Sequence, residues 1–270
     1  KKIPLVGESN NAAKKRFNAN YTYKYGSSNL CNFSIPKGIF SRRKLGIPNP
    51  KQFLDLSVLI INNWSTIKSN YNISPYSQST PVEKDSVRFL RTKSKSFNEF
   101  KFLLSEKCLN KKIELKLDIS QFYPSIYTHS IPWGILGKDI AKKYFKIKNK
   151  SKNNFNNLIK SNDVTAITYN IAESIDTLVR NCNERQSIGL PIGPDTSFLL
   201  AEIIGNRMDF EIHKALSNIE HEGVRYFDDY FFYVNSKDDA EIVLKKIQQI
   251  LNEFQLETNE SKVSIGNLPF

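Results

Sequence analysis

Apolar residues recur with two different periods along this chain, and each change of period marks an element. In residues 50–68, Phe53, Leu56, Leu59, Ile60, Trp64 and Ile67 fall at helical spacing, the stripe of a helix packed by one face. A second helix is predicted over residues 163–181, with Asp163 as its cap and Ile167, Ile171, Ile175, Leu178 and Val179 on one side. Residues 196–214 and 240–254 read as two more helices, the latter turning Ile242, Leu244, Ile247, Ile250 and Leu251 inward. Short apolar runs predict strands over 115–120, 223–227, 230–235 and 263–270. Residues 35–48 hold two runs around a basic, Gly-containing turn, which predicts a hairpin. Residues 1–35 lack periodicity and read as an extended arm, and 71–98 as a connecting region with short strands. The Lys- and Asn-rich stretch 142–157 reads as a mobile insertion. Strand, helix, helix, hairpin, helix, strand predicts an α+β fold with helices on one face of an antiparallel sheet.

Composition narrows the class. The 270 residues fit one large domain or two subdomains sharing a core. A net charge of +12 favours a polyanionic partner, most simply nucleic acid or nucleoside triphosphates. The three cysteines, Cys31, Cys108 and Cys182, are too far apart for a disulfide framework or a zinc site, and imply a reducing, cytoplasmic setting. Three histidines argue against a His-based metal centre. The longest apolar stretch, near residues 58–61, is far too short to cross a bilayer, so no membrane partner is expected.

Two constellations carry chemistry. Asp118 closes the apolar strand 115–120, and an acid there is costly to bury without a partner. Asp228 and Asp229 lie side by side between the aromatic runs 225–227 and 230–234, where their repulsion is unfavourable unless a cation relieves it. Solvated turns or helix caps would also use such residues singly. Two strands side by side would bring all three carboxylates to one site, able to hold a pair of Mg²⁺ ions about 3.5–4 Å apart. Phosphoryl transfer needs positioning and charge neutralisation rather than a protein nucleophile.

In this order the segments resemble the palm motifs of reverse transcriptases. Asp118 with Tyr123 matches the first motif, and Tyr226-Phe227-Asp228-Asp229 matches the aromatic-x-Asp-Asp motif. Residues 189–197 resemble the nucleotide-and-template loop with its helix, 256–262 the next palm motif, and the basic hairpin with Arg42-Arg43-Lys44 the fingers. The resemblance implies a right-hand fingers and palm architecture, its antiparallel palm sheet backed by helices. It assigns 1–34 to an N-terminal arm, 35–114 to the fingers and 115–270 to the palm, with a thumb or helical C-terminal domain not in this chain. It implies two ions, Mg²⁺ or Mn²⁺, held by Asp118, Ile119, Asp228 and Asp229. Tyr123 becomes the steric gate favouring dNTPs, and Lys262 a general acid at the pyrophosphate. Lys37, Arg42, Arg43, Pro191 and Gly193 become nucleotide contacts.

A narrower resemblance, to abortive-infection reverse transcriptases of the AbiK kind, rests on residues 127–133, 35–37 with Arg42-Arg43, 189–193 and 267–270. It implies untemplated, protein-primed DNA synthesis in anti-phage defence, with DNA attached to a tyrosine of the protein, Tyr25 being one candidate. Ile192 stands where most reverse transcriptases carry Gln, which agrees with a lack of faithful templated copying. Use of an RNA template and assembly into a homo-oligomer stay open. His129 is expected to pack or hydrogen-bond in the palm rather than act as a base. The alternatives are a template-dependent reverse transcriptase of the retron or group II intron kind, a viral-type RNA polymerase on the same palm, and a non-catalytic nucleic-acid-binding scaffold.

Overall fold

The computed structural model describes residues 26–83, 90–92 and 96–268. Tyr25, the candidate primer, lies outside them, as does most of the N-terminal arm.

The predicted hairpin is formed by β1 (Cys31–Pro36) and β2 (Arg42–Ile47), paired antiparallel from Cys31↔Ile47 to Pro36↔Arg42. It begins before residue 35, within the segment expected to be an arm. Most of its residues are exposed, and Ile39 and Phe40 at its tip are 90% and 99% exposed. The stripe over 50–68 becomes two helices, α1 (Pro50–Asn62) and α2 (Trp64–Tyr71). They part at Asn63, whose Nδ2 donates to the Leu59 carbonyl. A two-stranded ladder, β3 (Pro81–Glu83) with β4 (Leu90–Thr92), and helix α3 (Phe97–Lys107) with a Ser96/Glu99 capping box lead into the main sheet.

That sheet has the order β6-β7-β5-β8, all antiparallel. β5 (Ile113–Asp118) is flanked by β7 (Asp229–Val234) and β8 (Ser264–Asn267), and β6 (Glu222–Tyr226) lies beyond β7. Alternation in β5 buries Ile113, Leu115 and Leu117 together, as the period of two requires. Helix α10 (Lys237–Glu253) lies across β5 and β7 and buries Ala240, Val243, Ile247, Ile250 and Leu251. Ile242, expected inward, is 45% exposed, because Val243 takes the inward place on the stripe.

Behind the sheet, α9 (Asp195–Ala215) is buried along most of its length and packs on α5 (Ser130–Leu136), which also meets α8 (Val164–Asn181). The Asp163 carboxylate caps α8 at the Ala166 N–H, as the sequence predicts. The expected mobile insertion at 142–157 is instead ordered as helix. α6 (Lys138–Lys150) and α7 (Lys152–Lys160) bury Ala141, Tyr144 and Phe155 against Tyr169 of α8 in a second small core. Their few apolar residues keep helical spacing, so one thin stripe suffices to fix them. Among the described residues no helix is long and apolar enough to cross a membrane.

Candidate active site

β5 ends in Asp118 because the chain must leave the sheet there. Gln121 adopts a left-handed φ of 44°, and the short helix α4 (Phe122–Ser125) turns away. Asp118 pairs in register with Asp229 of β7, so both side chains project to the same face of the sheet. The β6–β7 turn carries Asp228, and its carbonyl accepts from the Ile119 N–H at 3.0 Å. Ile119 is buried and further bridged to Thr258. Asp118 and Asp229 thus sit on adjacent strands, and Asp228 in the turn is tied to the same pair by a backbone hydrogen bond.

Asp118 is 5% exposed, and cationic and amide groups hold its carboxylate. Lys262 Nζ sits 2.7 Å from Oδ2 and Asn259 Nδ2 3.3 Å from Oδ1, while the Asn259 N–H donates to the Asp118 carbonyl. Contact with Asp118 raises the Lys262 ammonium above its ordinary range. Burial raises the Asp228 carboxyl, and the charge of Asp118 adds to this while Lys262 and Lys37 oppose it. Asp229 is pushed up to about 6 by burial, then by Asp228 and Asp118. Among the described residues no group of three or more His, Cys, Asp or Glu side chains is arranged to hold a metal ion. Three carboxylates facing one ammonium repel one another, and Asp229 stands on the exposed side of the group.

A cavity of about 1150 Å³ opens over Asp118 and Asp228; Asp229 does not line it. Asp118, Ile119, Tyr123, Gly193, Asp228, Asn259 and Lys262 line it, together with Lys37, Arg42, Arg43 and Lys44 from the hairpin. Arg42 also binds Ser34 across the hairpin, Nε to Oγ at 2.8 Å and Nη2 to the carbonyl at 2.9 Å. Burial raises the Tyr123 hydroxyl well above its ordinary value, with the charges of Glu202 and Asp228 adding to the shift. Gly193 has a φ of 131°, which favours glycine. Ile192 lines the cavity and its carbonyl accepts from the Gly46 N–H, which docks the hairpin on the loop.

Besides Asp229, two residues singled out in the sequence lie outside the cavity lining. Pro191 does not line the cavity; it packs behind it, against Gly46. His129 is also away from the cavity, its Nδ1 2.8 Å from Asp176 Oδ2, as expected of a residue that hydrogen-bonds in the palm.

The sequence reading missed a polar network beneath the turn. Arg225 is fully buried. It donates through Nε to Asp209 at 2.8 and 3.0 Å, and through Nη1 and Nη2 to Glu202 at 3.1 and 2.8 Å. It also reaches Asn206 at 2.9 Å and the Phe227 carbonyl at 3.0 Å. Tyr230 and Ser74 donate to Asp209, and Ser77 and Ser79 to Glu202. The available signal was Glu202, Asn206 and Asp209 at helical spacing on a helix that is otherwise apolar on that face.

Residues 67–270 match the family model described as "Reverse transcriptase (RNA-dependent DNA polymerase)". No curated protein matches the chain. Among solved structures, apo telomerase from Candida tropicalis is similar over 99% of this chain and 47% of its own, with a TM-score of 0.54 at 16% identity. Telomerase from the same organism in complex with a fragment of telomeric RNA is similar over 95% of this chain and 45% of its own, at TM-score 0.55 and 15% identity. The BmCPV RNA-dependent RNA polymerase at its quiescent state follows with TM-score 0.53 and 9% identity, over 94% of this chain and 22% of that one. At these identities the likeness is one of fold. The chain spans about half the length of the telomerase chains it resembles.

Proposed function

The chain belongs to the reverse transcriptase (RNA-dependent DNA polymerase) family, and we propose that it adds dNTPs to a 3′-hydroxyl or a protein hydroxyl in the cavity above Asp118 and Asp228. The observation that carries this reading is the meeting of opposite charges around one cavity. Asp118 and Asp228 come from the sheet and Lys37, Arg42, Arg43 and Lys44 from the hairpin. A nucleoside triphosphate complements both, with phosphates for the cationic residues and a reacting end for the acids.

The acids fit divalent ions: burial, with neighbouring carboxylate charge adding to it, raises the carboxyls of Asp228 and Asp229, and a nearby cation would offset that charge. Two ions, Mg²⁺ or Mn²⁺, held by Asp118, Asp228, Asp229 and the Ile119 carbonyl, would activate the attacking hydroxyl and neutralise the leaving pyrophosphate. Lys262 carries its proton beside Asp118 and is placed to protonate the pyrophosphate as it leaves. Tyr123 walls the cavity where a 2′-hydroxyl would project. Gly193, lacking a Cβ, lets the sugar or phosphates approach the loop, and the hairpin cations neutralise them.

The motif resemblance and Ile192 in place of Gln support a role in abortive infection, with untemplated, protein-primed synthesis and a DNA product joined to the protein. A template-dependent second reading is favoured by the likeness to a telomerase captured with telomeric RNA. The test supplies purified protein with each dNTP and Mg²⁺ or Mn²⁺, with and without primer and template. Incorporation abolished by Asp228→Asn is expected. Protein-linked DNA without added nucleic acid supports self-priming, strict dependence on primer and template supports the second reading, and incorporation that survives Asp228→Asn overturns the metal assignment.

A further inference from the structure

The turn that carries Asp228 is held in an unfavourable backbone conformation by side chains outside the cavity. Phe227 has a φ of 56°, in the left-handed region that aromatic residues avoid. Both of its backbone polar groups are gripped from beneath. Its N–H donates to Ser79 Oγ at 3.0 Å, and its carbonyl accepts from Arg225 Nη1 at 3.0 Å. Ser79 is fully buried, and its own proton goes to Glu202 Oε2 at 3.0 Å, so its oxygen is left to accept from Phe227. The segment around Ser79 runs beside β6: the Arg225 N–H donates to the Tyr76 carbonyl and the Gln78 N–H to the Arg225 carbonyl.

Resting on the polymerase reading, we infer that Ser79 is a positioning residue for the reaction. Paired with Arg225, its hydroxyl fixes the peptide groups of Phe227 and so sets where the next residue, Asp228, aims its carboxylate. Ser79 touches neither the cavity nor the acids; its effect passes through one backbone N–H. Without that acceptor the strained residue relaxes, and displacement of a reacting group by about 1 Å can cost on the order of 100-fold in rate.

Ser79→Ala is the test variant and Ser74→Ala its control. Ser74 gives a hydroxyl to Asp209 in the same network and accepts from the Tyr76 and Ser77 N–H groups, but makes no bond to Ser79 or to the turn. Ser77 is unsuitable as a control because its hydroxyl also accepts from the Ser79 N–H. The melting temperature is expected to fall in both variants, and at least as far in Ser74→Ala, which loses three hydrogen bonds. Only Ser79→Ala is expected to speed amide exchange at Phe227, on the order of tenfold for one lost hydrogen bond. Only Ser79→Ala is expected to lower kcat, by about 10- to 100-fold, and to raise the Mg²⁺ concentration for half-maximal rate. Unchanged exchange at Phe227 in Ser79→Ala would overturn the inference. So would matching kcat and Mg²⁺ dependence in the two variants. A wild-type protein that incorporates no nucleotide would remove the polymerase reading instead. Calorimetric Mn²⁺ binding would then decide this inference alone, weakened only in Ser79→Ala if it holds and equal in both variants if it fails.

Discussion

Replacing Arg225 by Met removes a guanidinium that no water reaches while roughly preserving its bulk. Six hydrogen bonds to Asp209, Glu202, Asn206 and Phe227 vanish at once. Two carboxylates, 0% and 2% exposed, then lose their cation, keeping only the donors from Ser74, Ser77, Ser79 and Tyr230. Breaking a buried pair from one side costs about 3–5 kcal/mol. For a chain of this size that is roughly 6–20 °C in melting temperature. The loss should also depend on pH. Burial pushes the Asp209 carboxyl up and the Arg225 charge is the largest influence against it, so the variant carries a higher carboxyl, held down only by Ser74 and Tyr230. A carboxyl raised in the folded state stabilises below its unfolded value and loses that contribution as pH rises through the folded value. The gap between Arg225→Met and wild type should therefore narrow on acidification from pH 7 to 5. Urea unfolding at several pH values measures it. A loss under about 1 kcal/mol, or a gap that widens in acid, would refute the view that this ion network carries the turn.

The acids should impose a pH dependence on metal use. Asp229 is pushed up to about 6, so below that pH an ion must displace its proton, and the Mg²⁺ needed for half-maximal incorporation should rise by up to about tenfold per pH unit. Without metal the sign reverses: this raised carboxyl stabilises below its unfolded value and ceases to as pH passes about 6. Acidification to pH 5 should thus favour metal-free wild type relative to Asp229→Asn, as melting curves in a chelator would report. Tyr123→Val should shorten the wall of the cavity and reduce discrimination of dNTP against rNTP by about 10- to 100-fold, read from the ratio of kcat/KM values.

Periodic local order was legible in the sequence, and partnerships across the fold were less so. Asp163 announced its helix because a cap acts within three residues, and the short apolar runs of β5 and β7 placed Asp118 and the 228–229 pair at strand ends. The Lys- and Asn-rich helices were hidden because Tyr144, Phe155 and Tyr169 support one another only once three helices meet. The kink at Asn63 depends on a side chain turning back to a carbonyl, which a hydrophobic stripe does not record. Arg225 sits in a strand between apolar neighbours, where a charge reads as outward-facing. Its carboxylate partners lie 16 and 23 residues earlier on another element. Within the candidate site, the acids and hairpin cations were readable as types at set spacings. The Asn259 contact to Asp118, the retreat of Pro191 and the Ser79 bond to Phe227 depend on the folded path.

The walls of the cavity differ in how they are built. One is the inner strand β5, mostly buried and paired on both edges; the other is a ribbon whose sides are mostly exposed and whose Gly46 leans on Ile192. A load applied between them would be borne unequally, since β5 is held by a strand on each side and the ribbon is a two-stranded ladder. The breadth of the mouth should therefore follow the ribbon, while the position of Asp118 should stay fixed by its strand. Alterations near Gly46 should change which guests are admitted, and alterations beneath the sheet should change how fast an admitted guest reacts.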